Sequence, residues 1–191
     1  MIKLHTHIIT NFKNIFLNSI KTIIVGVIMI NLTAKERMLL EDEKSHEELC
    51  VSKYKDYASK AKCQELSNLF SSLSQKEQQH LDSINQILSG TVPNVNSGNQ
   101  NQQSNMQQTQ LNNTSNMPNL QNAASKTYDE NDKMLCQDSL STEKYVSSTY
   151  NTAIFEFSDT QIRQVLNHIQ KEEQEHGEKI YNYMNQHGMY N

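Results

Sequence analysis

The chain has no tryptophan, two prolines, five glycines and three cysteines in 191 residues. So little Gly and Pro leaves few of the turn signals an all-β domain needs, and the long helix-favouring stretches between them predict an all-α protein. Cys50, Cys63 and Cys136 are odd in number and lack CxxC spacing, which argues against a disulfide framework or a zinc knuckle and fits a reducing compartment of synthesis. Strong charge of one sign is also missing. A net charge of −4 offers no concentrated field of Lys and Arg, so neither nucleic acid nor an anionic membrane surface is an expected partner. Long apolar runs are scarce as well: residues 23–32 (IIVGVIMINL) fall short of the about 20 residues a membrane span requires.

What is present divides the chain into four stretches. Residues 1–31 contain no acidic residue and have three competing readings: a non-native extension with the true start at Met29, a weak membrane anchor, or a cleaved signal. Residues 32–90 read as a first helical hairpin, opened by the capping-box pattern Thr33-x-x-Glu36, broken at residues 62–64 and stopped by Gly90. Residues 91–127 are rich in Asn, Gln and Ser (SGNQNQQSNMQQTQLNNTSNM) and lack apolar periodicity, which predicts a disordered crossover. Residues 128–191 read as a second hairpin. Its helices should span about 129–157 and, after a second capping box at Ser158-x-x-Gln161, run on to Gly188. Two hairpins with one long crossover is a four-helix bundle plan.

One constellation occurs twice. Glu47, Tyr54, Glu77 and His80 recur, 96 residues later, as Glu143, Tyr150, Glu173 and His176. Helix periodicity puts Glu47 in a stripe with Val51, Tyr54, Ala58 and Ala61, and Glu143 in one with Leu140, Tyr150, Ile154 and Phe157. Glu77 and His80 fall among Leu66, Leu69, Leu73, Ile84 and Ile87, while Glu173 and His176 fall among Ile162, Val165, Ile169, Ile180 and Tyr183. Four carboxylates and two imidazoles thus point at one core. Ionised carboxylates there need compensating positive charge, which two divalent metal ions would supply. A lone Glu-x-x-His is usually a solvated surface pair, as expected for Glu43 and His46, whose counterparts are Ser139 and Thr142. Tyr54 and Tyr150 are placed to hydrogen-bond the metal-binding carboxylates. Cys50 reads as a small apolar filler, and His168 and His187 as ordinary.

The segments EELCVSKYKDYASKA and LFSSLSQKEQQH resemble the first helical pair of rubrerythrin-type modules in the ferritin-like superfamily. That resemblance implies a ferritin-like bundle in which Glu77 and Glu173 bridge two ions, Glu47 and Glu143 bind terminally, and His80 and His176 complete one ion each. Val146 stands where rubrerythrins carry an extra glutamate, and no rubredoxin-like Cys pairs follow the bundle. From about residue 130 onward the chain resembles the coat F family of spore coat proteins, through Asn151, Ala153 and Glu156, the pair Ile162-Arg163, and the terminal Tyr183, Met184, Gly188 and Tyr190.

The coat F resemblance implies a structural protein made in the mother-cell cytoplasm and deposited in the spore coat. Its partners would be other coat proteins, and a homodimer is compatible with it. No residue is then catalytic. The competing reading is a rubrerythrin-like di-iron or di-manganese oxidase or peroxidase. A third, iron storage in a cage, sits poorly with a disordered crossover that a shell surface would have to accommodate.

Overall fold

A computed structural model describes residues 30–94 and 128–190. The expectations for the 1–31 extension and the 91–127 crossover lie outside these residues, apart from residues 30–31 and 91–94, which are not helical. Ile30, assigned above to the extension, packs against the core.

The described residues form four α-helices and no strand: α1 (Ala34–Lys60), α2 (Gln64–Leu88), α3 (Glu130–Glu156) and α4 (Thr160–Gln186). Each helix starts and stops for a local reason. Thr33 and Glu36 form the expected capping box at α1, and Asp129 caps α3 by accepting from Asn131 N and Asp132 N. At α4 the cap is Asp159, which accepts from Gln161 N and Ile162 N, and not the expected Ser158. Ser158 N–H is engaged elsewhere, as described below. Helices α2 and α4 end in left-handed glycines, Gly90 at φ 95° and Gly188 at φ 65°. Thr91 N then bonds Gln86 O, and Met189 N bonds Met184 O, the six-to-one bonds of Schellman motifs.

Three-residue connections fold α1 onto α2 and α3 onto α4 as antiparallel hairpins, and the hairpins meet α1 against α3 and α2 against α4. The core is apolar at both ends of the bundle. Leu66, Phe70 and Leu73 of α2 and Ile162, Leu166 and Ile169 of α4 are fully or almost fully buried, and Tyr54 stacks on Phe70 with ring centroids 5.8 Å apart. On α3 the buried stripe differs in part from the expected one: Leu135, Cys136, Val146 and Ala153 are buried, whereas Leu140 and Ile154 are half-buried. Glu143, Tyr150 and Phe157 are buried as expected, so the stripe is completed by Ser139, Val146 and Ala153 where periodicity alone also allowed Leu140 and Ile154.

The hairpins clasp each other's connections. Glu36, at the start of α1, accepts from Ser158 N at 2.9 Å in the α3–α4 connection. Asp132, at the start of α3, accepts from Lys62 N at 2.8 Å and Cys63 N at 2.9 Å in the α1–α2 connection. Both acids are buried, and 36 and 132 differ by the same 96 residues as the core constellation. Backbone N–H groups beyond the reach of either helix ladder are thus satisfied by the opposite hairpin.

Candidate metal centre

Residues three apart on a helix share a face, so α2 directs Glu77 and His80 inward together and α4 does the same with Glu173 and His176. From α1 and α3 come Glu47 and Glu143. All six side chains are between 0% and 2% exposed. They fall into two groups, Glu47, Glu77, His80 and Glu173 in one and Glu77, Glu143, Glu173 and His176 in the other, with the donor atoms of each group within 4.8 Å of one another. Glu77 and Glu173 belong to both groups. The imidazoles of His80 and His176 face each other with centroids 5.5 Å apart.

The cluster leaves its inner valences open. Glu47 Oε2, Glu77 Oε2, His80 Nδ1, Glu143 Oε2 and both carboxylate oxygens of Glu173 are buried without a hydrogen-bond partner. His80 Nδ1 lies 2.8 Å from Glu173 Oε1, close enough for a bond but without its geometry. An unsatisfied buried polar atom costs about 1–3 kcal/mol, more for a charge, so six converging on one point fit a centre built to be filled by cations.

Outer valences are tied down. Tyr54 Oη donates to Glu143 and Tyr150 Oη donates to Glu47, so each tyrosine holds the carboxylate of the other hairpin. The contact of His176 Nδ1 with Glu77 Oε1, at 3.0 Å, is by contrast one between two donors of the same group. His80 is held from behind: its Nε2 is 2.9 Å from Glu172 Oε2, and Glu172 also accepts from Lys76 Nζ at 3.2 Å and lies 3.4 Å from His168 Nε2. A carboxylate on Nε2 fixes the tautomer and turns Nδ1 toward the centre.

Without cations these groups share protons unequally. Burial pushes Glu47 and Glu173 up to about 7, against the pull of His80, and burial together with the charges of Glu173 and Glu77 pushes Glu143 well up. Glu77 goes the other way: burial opposes its charge, but the hydrogen bonds and charges of His176 and His80 hold it at about 2. Burial likewise opposes the His80 imidazolium, yet Glu172, Glu173, Glu47 and Glu77 raise it well above its ordinary value. The Cys50 thiol is pushed up by burial and by the four carboxylates, which keeps it a protonated filler.

A cleft comes up to one side of the centre. This cleft, of 530 Å³ between α3 and α4, is lined by Ser147, Gly177, Tyr181 and Tyr190 and reaches Glu143 and Glu173. It belongs to the second hairpin. Residues 131–191 match the Coat F domain. The match covers α3, α4 and the turn after them, so it spans Glu143, Glu173, His176 and the cleft, while the donors from α1 and α2 lie outside the Coat F region. No curated protein and no solved structure matches the chain.

All six sequence-derived candidates and both tyrosines converge. Residues that sequence reasoning missed sit beside them. Glu172 immediately precedes a candidate ligand, and its repeat counterpart Lys76 has the opposite charge, a break in the repeat that gains its meaning from the contact with His80. His168, read as ordinary, joins the Glu172 network. Glu43 and His46 stand outside both donor groups, but Glu43 is not solvated: it is 2% exposed, accepts from Thr149 Oγ1 at 3.0 Å, and lies 3.1 Å from His46 Nδ1. Its counterpart Ser139 is buried with its hydroxyl unpartnered.

Proposed function

We propose that the protein is a structural component of a bacterial spore coat whose ferritin-like bundle holds two divalent metal ions. The coat reading rests on the Coat F match. The metal reading rests on the six buried donor atoms that no hydrogen bond satisfies. Carboxylates and imidazoles without a thiolate suit iron or manganese. Glu77 and Glu173, common to both groups, would bridge the ions; Glu47 and His80 would complete one, and Glu143 and His176 the other. Tyr54, Tyr150 and Glu172 would orient these ligands. When bound, such ions supply neutralising charge and one-electron redox capacity.

The cleft lined in part by Glu143 and Glu173 favours, as a second reading, a di-iron or di-manganese oxidase or peroxidase, because it brings a small-molecule-sized space up to two of the donor residues. Metal analysis of full-length protein purified without chelator separates the possibilities in part: about two ions per chain are expected, and protein free of bound metal would defeat the dinuclear reading. Spores carrying Glu77→Gln with Glu173→Gln complete the test. Incorporation into the coat with unchanged peroxide resistance is the expected result. Lost resistance would favour the redox reading, and failure of the folded variant to enter the coat would contradict assembly through the outer surface.

A further inference from the structure

The geometry points to two unequal ion sites: the ion held by Glu143 and His176 enters and leaves through the cleft at Gly177, while the ion held by Glu47 and His80 exchanges slowly behind closed walls. This assignment of a cation port rests on the dinuclear reading above and extends it. Glu143 and Glu173 line the cleft while remaining 2% and 0% exposed, with Glu143 Oε2 and both Glu173 oxygens unpartnered. The cleft is thus walled in part by two donor residues whose unpartnered oxygens lie covered behind that wall.

Gly177 lines the cleft beside Glu173 and Glu143. A glycine inside a helix costs about 1 kcal/mol relative to alanine, and such a residue normally answers a packing need or a functional one. Packing does not demand it: a Cβ on Gly177 would lie 3.6 Å from Leu140 Cδ1 and 3.7 Å from Glu143 Cβ, ordinary contacts. The other hairpin supplies the control. Subtracting 96 from 177 and from 147 gives Leu81 and Val51, so the first hairpin carries branched apolar side chains where the second has Gly177 and Ser147. Val51 is buried and Leu81 half-buried. His80 is further restrained through Nε2 by Glu172, which Lys76 also holds, so its retreat from an ion would break those contacts.

Full-length protein loaded with Co²⁺ and mixed with excess chelator reports both ions by absorbance. The wild type should release one equivalent fast and one slowly. Gly177→Leu, which copies Leu81, should slow the fast phase by about tenfold or more, a barrier increase of roughly 1.4 kcal/mol, while equilibrium stoichiometry stays unchanged. Two further variants keep the result independent of how leucine is accommodated: Gly177→Ala, whose Cβ fits, should slow the fast phase by less, and Leu81→Gly should quicken the slow phase. Two bound ions that leave the wild type in a single phase, or a fast phase indifferent to Gly177→Leu, would overturn the port and leave the dinuclear reading standing. A protein that binds no Co²⁺ at equilibrium would overturn both.

Discussion

Glu36 of the first hairpin and Asp132 of the second stand 96 residues apart and make the same contact for each other's connections, whereas Lys76 and Glu172, at the same spacing, carry opposite charges. Comparing the hairpins position by position separates two kinds of constraint. Residues that face the centre or the clasps are repeated, because each completes a contact whose other half lies in the opposite hairpin. Residues one layer out diverge, as in Leu81 and Gly177, Val51 and Ser147, Glu43 and Ser139. The repeated set explains how the hairpins fit, and the divergent set explains why the two sides of the centre need not behave alike.

The repeated set is broken most severely by Glu77→Gln with Glu173→Gln, which removes the two carboxylates common to both donor groups. Metal content should fall to background. The metal-free variant should remain a folded helical bundle, since amides keep the shape of the carboxylates they replace; circular dichroism checks this.

A pH series on metal-free protein should give the next largest effect. Glu47 and Glu173 are raised from 4.5 to about 7 in the fold, so the native state binds more protons than the unfolded chain between those values. Their contribution is complete below pH 4.5 and lost as pH rises through about 7. Glu77, held at about 2, acts oppositely, with stability present above 4.5 and lost toward its folded value. Metal-free protein should therefore lose stability, by several kcal/mol in all, from pH 4.5 to 7, and metal loading should abolish that slope. Equal stability across the window without metal would contradict the buried, shared-proton cluster.

The clasps test whether the symmetry is energetic. Asp132→Ala strands two N–H groups and should cost about 1–3 kcal/mol; Glu36→Ala, which also loses the α1 capping box, should cost a similar amount. They sit at opposite ends of the bundle, so the double variant should be additive within about 0.5 kcal/mol. Strong non-additivity in denaturant unfolding would mean that the ends communicate.

Divergence is tested more gently by Glu172→Ala. Releasing His80 Nε2 should weaken one of two ion-binding steps by about 10–100-fold and leave the other unchanged, as read by isothermal titration. Equal weakening of both steps would mean that Glu172 acts through the net charge of the site and not through His80.

Much of this was legible in the sequence for one physical reason: the interior contacts are reciprocal, so the residues that make them recur. Glu47, Glu77, His80 and their counterparts were found from spacing, and the same offset applied to Glu36 would have found Asp132. The helices were placed within about two residues because their caps are local. Ser158 was misread as a cap because two good cap residues stand side by side, and only the approach of Glu36 from another hairpin decides which one is free. Glu172 and Gly177 were missed since they break the repeat, and a break has meaning only when its neighbours in space are known. Burial of Glu43 depends on Thr149 of α3, a contact no local pattern contains.

Lys76 and Glu172 have one more property. They occupy equivalent positions in the two hairpins and also touch, with Lys76 Nζ 3.2 Å from Glu172 Oε1. Were two second hairpins to pair in this arrangement, the same meeting would set carboxylate against carboxylate, and two first hairpins would set ammonium against ammonium. A partly exposed ion pair adds only about 0–1 kcal/mol to folding. Its larger effect is on partner choice: self-complementary interiors would let any hairpin accept any other, and opposite charges at this position disfavour like with like and favour a first hairpin meeting a second.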